Sequence, residues 1–160
     1  MKYLFLVILL FGPPGCGKGT QGHMLLQRLK VAIPSISTGE MLRSEIASGT
    51  ALGVESKAVM GAGGLVDDDL INRLLEARVA RSDCDEGFLL DGYPRTRAQA
   101  EFLDGLLGRR GLGSPLVIHL DVPADVLIGR MIARRQCGKC GLMFNILSKR
   151  PRTPSRCDDC

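Results

Sequence analysis

Apolar residues form short continuous runs that alternate with segments of helical periodicity. The longest run, Tyr3 to Phe11, spans nine residues and ends in a turn rich in proline and glycine. A run of this kind predicts a parallel strand that is covered on both faces. Further strands are predicted at Ile33–Ser37, Gly87–Asp91 and Leu116–Asp121. Because helical segments separate these strands, the pattern indicates an α/β fold with a parallel, multiply wound sheet.

The spacing of apolar residues also predicts the helices between the strands. They cover residues 18–30, a segment that opens with Asp67, a segment around Leu103, and residues 123–135. Two other segments lack this clear pattern of apolar residues. Residues 38–66 carry weak helical patterns broken by glycine, which predicts a small excursion from the sheet. The tail from Cys137 is poor in apolar residues and predicts a loop-rich appendage.

The composition is that of one compact domain, with 160 residues of which 45% are apolar and 24% charged. The 21 lysines and arginines, against 17 acidic residues, favour an anionic ligand over a nucleic-acid partner. The nine-residue apolar run is too short to cross a bilayer. Behind Lys2 it superficially resembles a secretory signal, but no small-residue cleavage site follows. The six cysteines are not spread like a secreted disulfide framework, so we predict a cytoplasmic protein.

The loop GPPGCGKGT, residues 12–20, lies between the first predicted strand and the first predicted helix. Its glycines let the backbone curl so that successive N–H groups face one concavity, where the helix N-terminus and the Lys18 ammonium favour phosphate. This context predicts a phosphate-binding loop rather than a turn without a ligand. The hydroxyl residue that usually follows the lysine, and supplies a magnesium contact, is replaced by Gly19, with Thr20 one place later.

Three segments together resemble the signatures of the adenylate kinases and related nucleoside monophosphate kinases. They are Gly17–Gln21 (GKGTQ), Ser37–Arg43 (STGEMLR) and Gly87–Thr96 (GFLLDGYPRT). The resemblance covers nearly the whole chain and implies a three-layer parallel sheet of the P-loop nucleoside triphosphate hydrolase type. It also implies three parts. The core P-loop domain consists of residues 1–36 and 67–132, a small helical insertion that binds the monophosphate covers residues 37–66, and a zinc-binding lid covers residues 133–160.

The resemblance implies reversible phosphoryl transfer from Mg-ATP to AMP, which gives two ADP. Thr38 favours AMP, because relatives that act on pyrimidine monophosphates tend to carry a smaller residue there. The expected AMP contacts are Thr38, Arg43, Gly64, Leu65, Val66, Gly92, Tyr93, Pro94, Arg95 and Gln99. The expected ATP contacts are Gly15, Cys16, Gly17, Lys18, Gly19, Thr20, Arg130, Arg134, Met143 and Phe144.

The catalytic residues that the resemblance implies are Lys18, Asp91, Arg95, Arg130 and Arg134. Guanidinium groups pair two phosphate oxygens at once, so arginines suit substrates with this much negative charge. Asp91 would orient magnesium-bound water, with a helix cap or a salt bridge as the alternative role. Arg130 and Arg134 are four apart, so we expect them on one face of a helix, where a solvated basic face is the alternative. No general base is required, because a monophosphate oxygen is largely ionised near neutrality.

Two C-x-x-C pairs, Cys137 with Cys140 and Cys157 with Cys160, are separated by sixteen residues. Paired knuckles at this separation favour a structural four-thiolate zinc site over a redox dithiol or disulfides. No iron–sulfur spacing is evident. Some bacterial adenylate kinases carry such a zinc-bound lid, and the resemblance implies that it closes over ATP and excludes water.

The resemblance stops at Cys160, where relatives continue with further lid arginines, a long helix, a fifth strand and a closing helix. We therefore expect a fragment of a longer kinase or a truncated product, with an exposed edge on the fourth strand. Two alternatives stay open, namely a catalytically impaired module that binds nucleotide and zinc, and a kinase for another nucleoside monophosphate. A small GTPase is disfavoured because the chain has no Asn-Lys-x-Asp segment. We expect a monomer.

Overall fold

The computed structural model describes residues 6–61 and 66–160. The chain divides into two compact units, one formed by Met1–Phe11 with Lys18–His119 and the other by Gly12–Gly17 with Leu120–Cys160. Within the described ranges, no helix is both long and apolar enough to cross a membrane.

The first unit is built on a four-stranded parallel sheet. Its strands are β1 (Leu6–Phe11), β2 (Ser35–Ser37), β3 (Gly87–Asp91) and β4 (Leu116–His119), in the order β2-β3-β1-β4. The four predicted strands are confirmed, although β2 and β4 are shorter than predicted. Residues 3–5 of the first apolar run lie outside the described residues.

Within the described residues, five α-helices belong to the first unit. They are α1 (Lys18–Leu29), α2 (Thr38–Ser48), α3 (Ala51–Gly61), α4 (Asp68–Val79) and α5 (Arg97–Arg109). Helix α1 on one side, with α4 and α5 on the other, covers the two faces of the sheet. Val7 and Leu9 of β1 face a core shared with α4 and α5, whereas Ile8 and Leu10 face a smaller core shared with α1. The alternation places successive side chains of β1 on opposite faces, so both faces are buried. The prediction of a three-layer α/β sheet is confirmed.

Helices α4 and α5 begin at side-chain caps, and the predicted helix opening at Asp67 agrees with the first of them. Asp67 is the N-cap of α4, where its side chain accepts a hydrogen bond of 2.7 Å from the backbone N–H of Leu70. Thr96 caps α5 in the same way, through a 3.1 Å bond from the N–H of Gln99. Each cap satisfies a backbone donor that the first helical turn leaves without a partner.

Residues 37–66, predicted as a helical insertion, contain α2 and α3. Helix α2 ends at Gly49, whose φ of 64° is the left-handed conformation typical of a helix C-terminus. Residues 62–65 lie outside the described residues. The helical content is confirmed, while the boundaries of the core, the insertion and the lid stay predictions.

The second unit contains helix α6 (Ala124–Ile132) and a hairpin of β5 (Arg134–Gln136) and β6 (Met143–Asn145). The helix predicted over residues 123–135 therefore ends three residues early. Arg134 pairs with Asn145 in the hairpin, and the N–H of Ile146 donates to the carbonyl of Ala133 over 2.9 Å. These bonds take the backbone out of the helix, so the prediction that Arg130 and Arg134 share one helical face is wrong.

Apolar side chains remain exposed in both units. In the first unit, β4 is an edge strand that pairs with β1, and Leu116 and Val117 are 53% and 56% exposed. In the second unit, Ile128 and Ile132 of α6 are 58% and 70% exposed. The predicted exposed edge of the fourth strand is confirmed.

Two glycine-to-alanine substitutions in helices should have opposite effects on stability. A Cβ at Gly22 of α1 would lie 2.8 Å from Cδ1 of Leu10 and 3.3 Å from Cδ2 of Leu89, inside the smaller core. Overpacking there should outweigh the gain in helix propensity and cost about 1–3 kcal/mol. At exposed Gly108 of α5 no atom lies within 4 Å of the added Cβ, so alanine should stabilise by about 0.5–1 kcal/mol. Denaturant titration of both variants measures the difference, and equal shifts would contradict the close packing of α1.

Candidate active site

The carboxyl ends of β2, β3 and β1 meet at one edge of the parallel sheet. In the strand register, Asp91 at the end of β3 lies opposite Ser37 on one side and Leu10 on the other. Helix α2 begins directly after Ser37, at Thr38. Crevices at this edge are the usual ligand sites of open α/β sheets. The sheet therefore brings two of the three signature segments of the sequence together.

Asp91 lies beside the first turn of α1. A Cβ built at Gly19 would be 3.4 Å from Oδ2 of Asp91. Burial raises the pKa of the half-buried Asp91 carboxyl above its ordinary value, the charge of Lys18 lowers it, and the charge of Glu40 raises it further. A Cβ at Gly19 would be in close van der Waals contact with this carboxylate, so the glycine that replaces the usual hydroxyl residue leaves space beside Oδ2.

The loop after β3 is held by its own side chains. The Nε of Arg95 donates a 2.7 Å hydrogen bond to the carbonyl of Gly92, and the backbone N–H of Arg95 donates to Oε1 of Gln99 over 2.8 Å. The peptide bond between Tyr93 and Pro94 is cis. The turn thus has a fixed shape, and Arg95 lies exposed at its surface.

Half-buried polar side chains of α4 support this loop. Asp68 accepts hydrogen bonds of 2.6 Å from both Nε2 of Gln99 and the hydroxyl of Thr96. The hydroxyl of Tyr93 lies 2.6 Å from Oδ1 of Asn72, and burial raises the pKa of this phenol. Tyr93 and Gln99 are only 1% and 5% exposed, so they offer little surface to a ligand. Their role is to support the loop from the protein interior.

Sequence reasoning missed the supporting role of Asp68, Asn72 and Thr96. The run of three aspartates at 67–69 predicts only the start of a helix, and just one of the three is the N-cap. A polar residue at Asn72, four places after Asp68 and therefore on the same helical face, was the available signal.

The remaining predicted AMP contacts lie on or near α2. Thr38 is buried, with 5% exposure, at the first position of the helix. The guanidinium of Arg43 folds back along α2, since its Nη1 lies 3.4 Å from a Cβ built at Gly39. Val66 is half-buried. The predicted contacts Gly64 and Leu65 lie outside the described residues.

In the second unit, the phosphate loop is curled as the sequence predicts. The N–H of Cys16 donates to the carbonyl of Pro13 over 3.2 Å, and Gly15 and Gly17 have φ values of 84° and 99°, which L-residues with side chains rarely adopt. Helix α6 contacts this loop. The Nη1 of Arg130 makes long hydrogen bonds of 3.4 Å and 3.3 Å to the carbonyls of Gly15 and Cys16.

The hairpin separates the other predicted ATP contacts. Arg135 lies opposite Phe144 in the register, so these two side chains share one face. Arg134 and Met143 therefore share the other face, because successive residues of a strand alternate. Phe144 is only 8% exposed. The structure thus places Arg134 and Met143 together and turns the ring of Phe144 away from them.

The four cysteines of the two knuckles form a cluster. The sulfurs of Cys137, Cys140, Cys157 and Cys160 all lie within 4.8 Å of one another. The amide of Gly141 donates to the carbonyl of Cys137 over 2.9 Å, which closes the first knuckle. Backbone N–H groups of Cys140 and Lys139 lower the pKa of the Cys137 thiol to about 6. Four thiolates at this spacing fit a tetrahedral metal ion and leave no open coordination position.

The parallel sheet, the curled glycine loop before α1 and the basic side chains around it define a nucleotide-binding protein of the P-loop class. Comparisons with known proteins identify the group. A family model described as Adenylate kinase matches residues 10–158. A protein named Adenylate kinase from Kosmotoga olearia is 46% identical over 153 residues, which are 96% of this chain and 70% of the relative.

Two further relatives carry the same name. That from Syntrophotalea carbinolica is 45% identical over 153 residues, covering 96% of this chain and 70% of its own length. That from Thermodesulfovibrio yellowstonii is 43% identical over 160 residues, covering 100% of this chain and 71% of its own length. The chain belongs to the adenylate kinase family, which confirms the resemblance noted in the sequence.

Replacing Asp91 by asparagine should raise thermal stability at pH 7. Because the folded protein holds the pKa of this carboxyl above that of the unfolded chain, ionisation disfavours folding, and the penalty appears as the pH rises through the carboxyl pKa. The gain in Tm should therefore vanish below about pH 4, where the carboxyl is protonated in both states. Thermal melting from pH 3 to pH 8 tests this, with Asp104→Asn on the exposed face of α5 as the control. A gain that is independent of pH, or that Asp104→Asn shares, would argue against it.

Proposed function

We propose that the chain catalyses reversible phosphoryl transfer from Mg-ATP to AMP, with two ADP as products. The observation that supports this most is the register at the carboxyl edge, where Asp91, the start of α2 and the first turn of α1 meet. The relatives named Adenylate kinase support the same reaction. Two nucleotides, one donor and one acceptor, then need two sets of cationic contacts.

The donor contacts follow from the phosphate loop. We assign the phosphates of ATP to the backbone amides of residues 15–20 and to the ammonium of Lys18. Arg130 and Arg134 would bind the same phosphates, and Met143 would contact the base. Phe144 stays a predicted contact, although the residue is only 8% exposed. Amide dipoles fixed before the reaction stabilise developing charge without any reorganisation cost at that moment.

The acceptor contacts follow from the two other signature segments. Arg43 and Arg95 would hold the phosphate of AMP, and Thr38 with Val66 would contact its nucleoside. The bonds of Arg95 to Gly92 and Gln99 fix the loop before AMP binds, so little conformational freedom remains to be lost. Gly64 and Leu65 belong to the same set by resemblance.

The transfer itself needs alignment and charge neutralisation. The attacking phosphate oxygen of AMP is already ionised, so no side chain has to remove a proton. Lys18 and the arginines would neutralise the negative charge that the two substrates bring together. Magnesium bound with ATP would offset part of the phosphate charge. Asp91 is the residue that would hold its water ligands, and Thr20 would supply the nearest hydroxyl in the motif.

The cysteine cluster would hold a structural zinc ion. Residues 137–160 contain few buried apolar residues, so four metal–sulfur bonds would supply the folding free energy that a core supplies elsewhere. The protein would act in the cytoplasm, where thiols stay reduced, and as a monomer.

A catalytically impaired module that binds nucleotide and zinc is the second candidate. The exposed Leu116 and Val117 of β4, and Ile128 and Ile132 of α6, favour it, because apolar side chains at the surface cost stability. This candidate predicts binding of ATP without formation of ADP. A kinase for another nucleoside monophosphate is distinguished by its preferred acceptor.

Substitution of Lys18 by methionine should lower kcat/KM for ATP by about 10²–10³-fold, because one preorganised cationic donor is lost from the transferred phosphoryl group. ADP formation from ATP and AMP measures this, and Lys30→Met at the exposed end of α1 serves as the matched control. CMP, UMP and GMP are tested as alternative acceptors. Turnover with UMP that equals turnover with AMP would refute the choice of acceptor, and ATP binding without any turnover would favour the impaired module.

Serine in place of Cys140 should lower the zinc content well below one ion per chain in the presence of a competing chelator, and should lower the Tm. One thiolate is then lost from a closed tetrahedral site. Elemental analysis and thermal melting measure both effects, with Lys139→Ala in the same knuckle as the control. Protein that is free of zinc and keeps its Tm would contradict a structural metal.

A further inference from the structure

Asn145 uses its whole side chain at the end of the hairpin. Its Oδ1 accepts hydrogen bonds of 2.9 Å and 3.0 Å from the backbone N–H groups of Leu147 and Ser148. Its Nδ2 donates a 3.2 Å bond to the backbone carbonyl of Arg130, in the last turn of α6. The carboxamide therefore joins the turn after β6 to the helix that precedes the hairpin.

The turn itself is tightly closed. The backbone groups of Asn145 and Lys149 exchange hydrogen bonds of 3.0 Å and 2.9 Å. The N–H of Ile146 donates to the carbonyl of Ala133, just after α6. Because the turn is closed on itself and bonded to the chain after α6, Asn145 is held in place by three independent backbone contacts, and its amide group has little freedom to leave Arg130.

The carbonyl of Arg130 is one of the groups that a helix C-terminus leaves without an intrahelical partner. Two neighbouring carbonyls of this last turn have partners of their own. That of Gly129 accepts from the N–H of Ala133 at 3.2 Å, and that of Ile132 accepts from Nη1 of Arg135 at 2.7 Å. The contact from Asn145 thus gives the carbonyl of Arg130 a partner at the end of α6. Arg130 is also the residue whose side chain contacts the phosphate loop.

The other side of this helical turn contacts the phosphate loop. Nη1 of Arg130 bonds to the carbonyls of Gly15 and Cys16, and a Cβ built at Gly15 would lie 3.2 Å from Cγ of Met131. A small rotation of the last turn of α6 would therefore move the guanidinium and press Met131 on the loop. Whatever fixes that turn also fixes Arg130 relative to the loop amides.

We infer that Asn145 is a positioning residue for the donor nucleotide, which holds the last turn of α6 so that Arg130 stays against the phosphate loop. The inference rests on the proposed function for the identity of that nucleotide, ATP. Only a side chain that accepts and donates at once can make all three contacts, and asparagine does so at this length. Aspartate would keep both accepted bonds and lose the donated one.

The test compares Asn145→Asp with Gln136→Glu. Both substitutions change an amide to a carboxylate in the same hairpin, and both remove a donated bond to a backbone carbonyl. The Nε2 of Gln136 donates to Gly141 inside the hairpin, whereas Nδ2 of Asn145 donates to α6. Titration calorimetry of the full chain with Mg-ATP alone, and with AMP alone, measures the two affinities without turnover. The Tm and the zinc content of each variant are recorded beside them.

Asn145→Asp should weaken Mg-ATP binding about fivefold, the loss expected for one hydrogen bond. Gln136→Glu should leave that affinity within twofold, neither variant should change AMP affinity or zinc content, and any fall in Tm should be similar in the two, since each loses one donated bond. Asn145→Ala, which loses all three bonds, should weaken ATP binding at least as much as Asn145→Asp.

The inference is overturned if Asn145→Asp binds Mg-ATP as the unchanged chain does, or if Gln136→Glu weakens binding equally, which would make charge the cause. Loss of zinc or of AMP affinity in Asn145→Asp would also overturn it, as a purely structural effect. If the unchanged chain binds Mg-ATP but forms no ADP, the proposed function is refuted and the inference about Asn145 is not. The comparison of ATP affinities does not depend on turnover, so it still tests whether Asn145 positions Arg130.

Discussion

Burial of β1 on both faces is the constraint on which the rest of the structure depends. Val7 and Leu9 face one core and Ile8 and Leu10 the other, so the strand can carry polar chemistry only at its ends. Parallel pairing then places the carboxyl ends of β2, β3 and β1 at one edge, and the register sets Asp91 between Ser37 and Leu10. Because the strands must be apolar along their length, the polar residues of the site come directly after their carboxyl ends.

The site contains two half-buried carboxylates in different surroundings. Around the loop after β3, the carboxylate of Asp68 is satisfied by Gln99 and Thr96, so that network is rigid and stabilising. Asp91 is different, because burial and the charge of Glu40 disfavour its ionised form. A carboxylate kept at a cost in stability is typical of a functional position, where a bound cation offsets the cost.

The segment from Arg134 to Cys160 is stabilised by directional bonds rather than by an apolar core. The two knuckles bring four sulfurs within 4.8 Å of one another, and Asn145 joins the hairpin turn to α6. Each of these contacts needs particular atoms at particular places, whereas an apolar core tolerates exchange of one aliphatic residue for another. Such a segment can keep a defined shape with few buried side chains. It is connected to the phosphate loop through Arg130, which accepts a hydrogen bond from Asn145 and donates to the carbonyls of Gly15 and Cys16.

The sequence by itself determined the parallel sheet, the glycine loop, the start of α4 at Asp67 and the four-cysteine pattern, because each follows from local spacing or from residues close together in the chain. It did not determine where α6 ends, which hairpin face carries Arg134, or that Asp68 supports the loop around Gln99. Those features depend on partners far along the chain: Asn145 for Arg134, and α4 for the loop after β3. Helical periodicity continues through Arg134 in the sequence, but strand pairing with Met143–Asn145 competes for the same backbone groups, and only the folded chain decides between them.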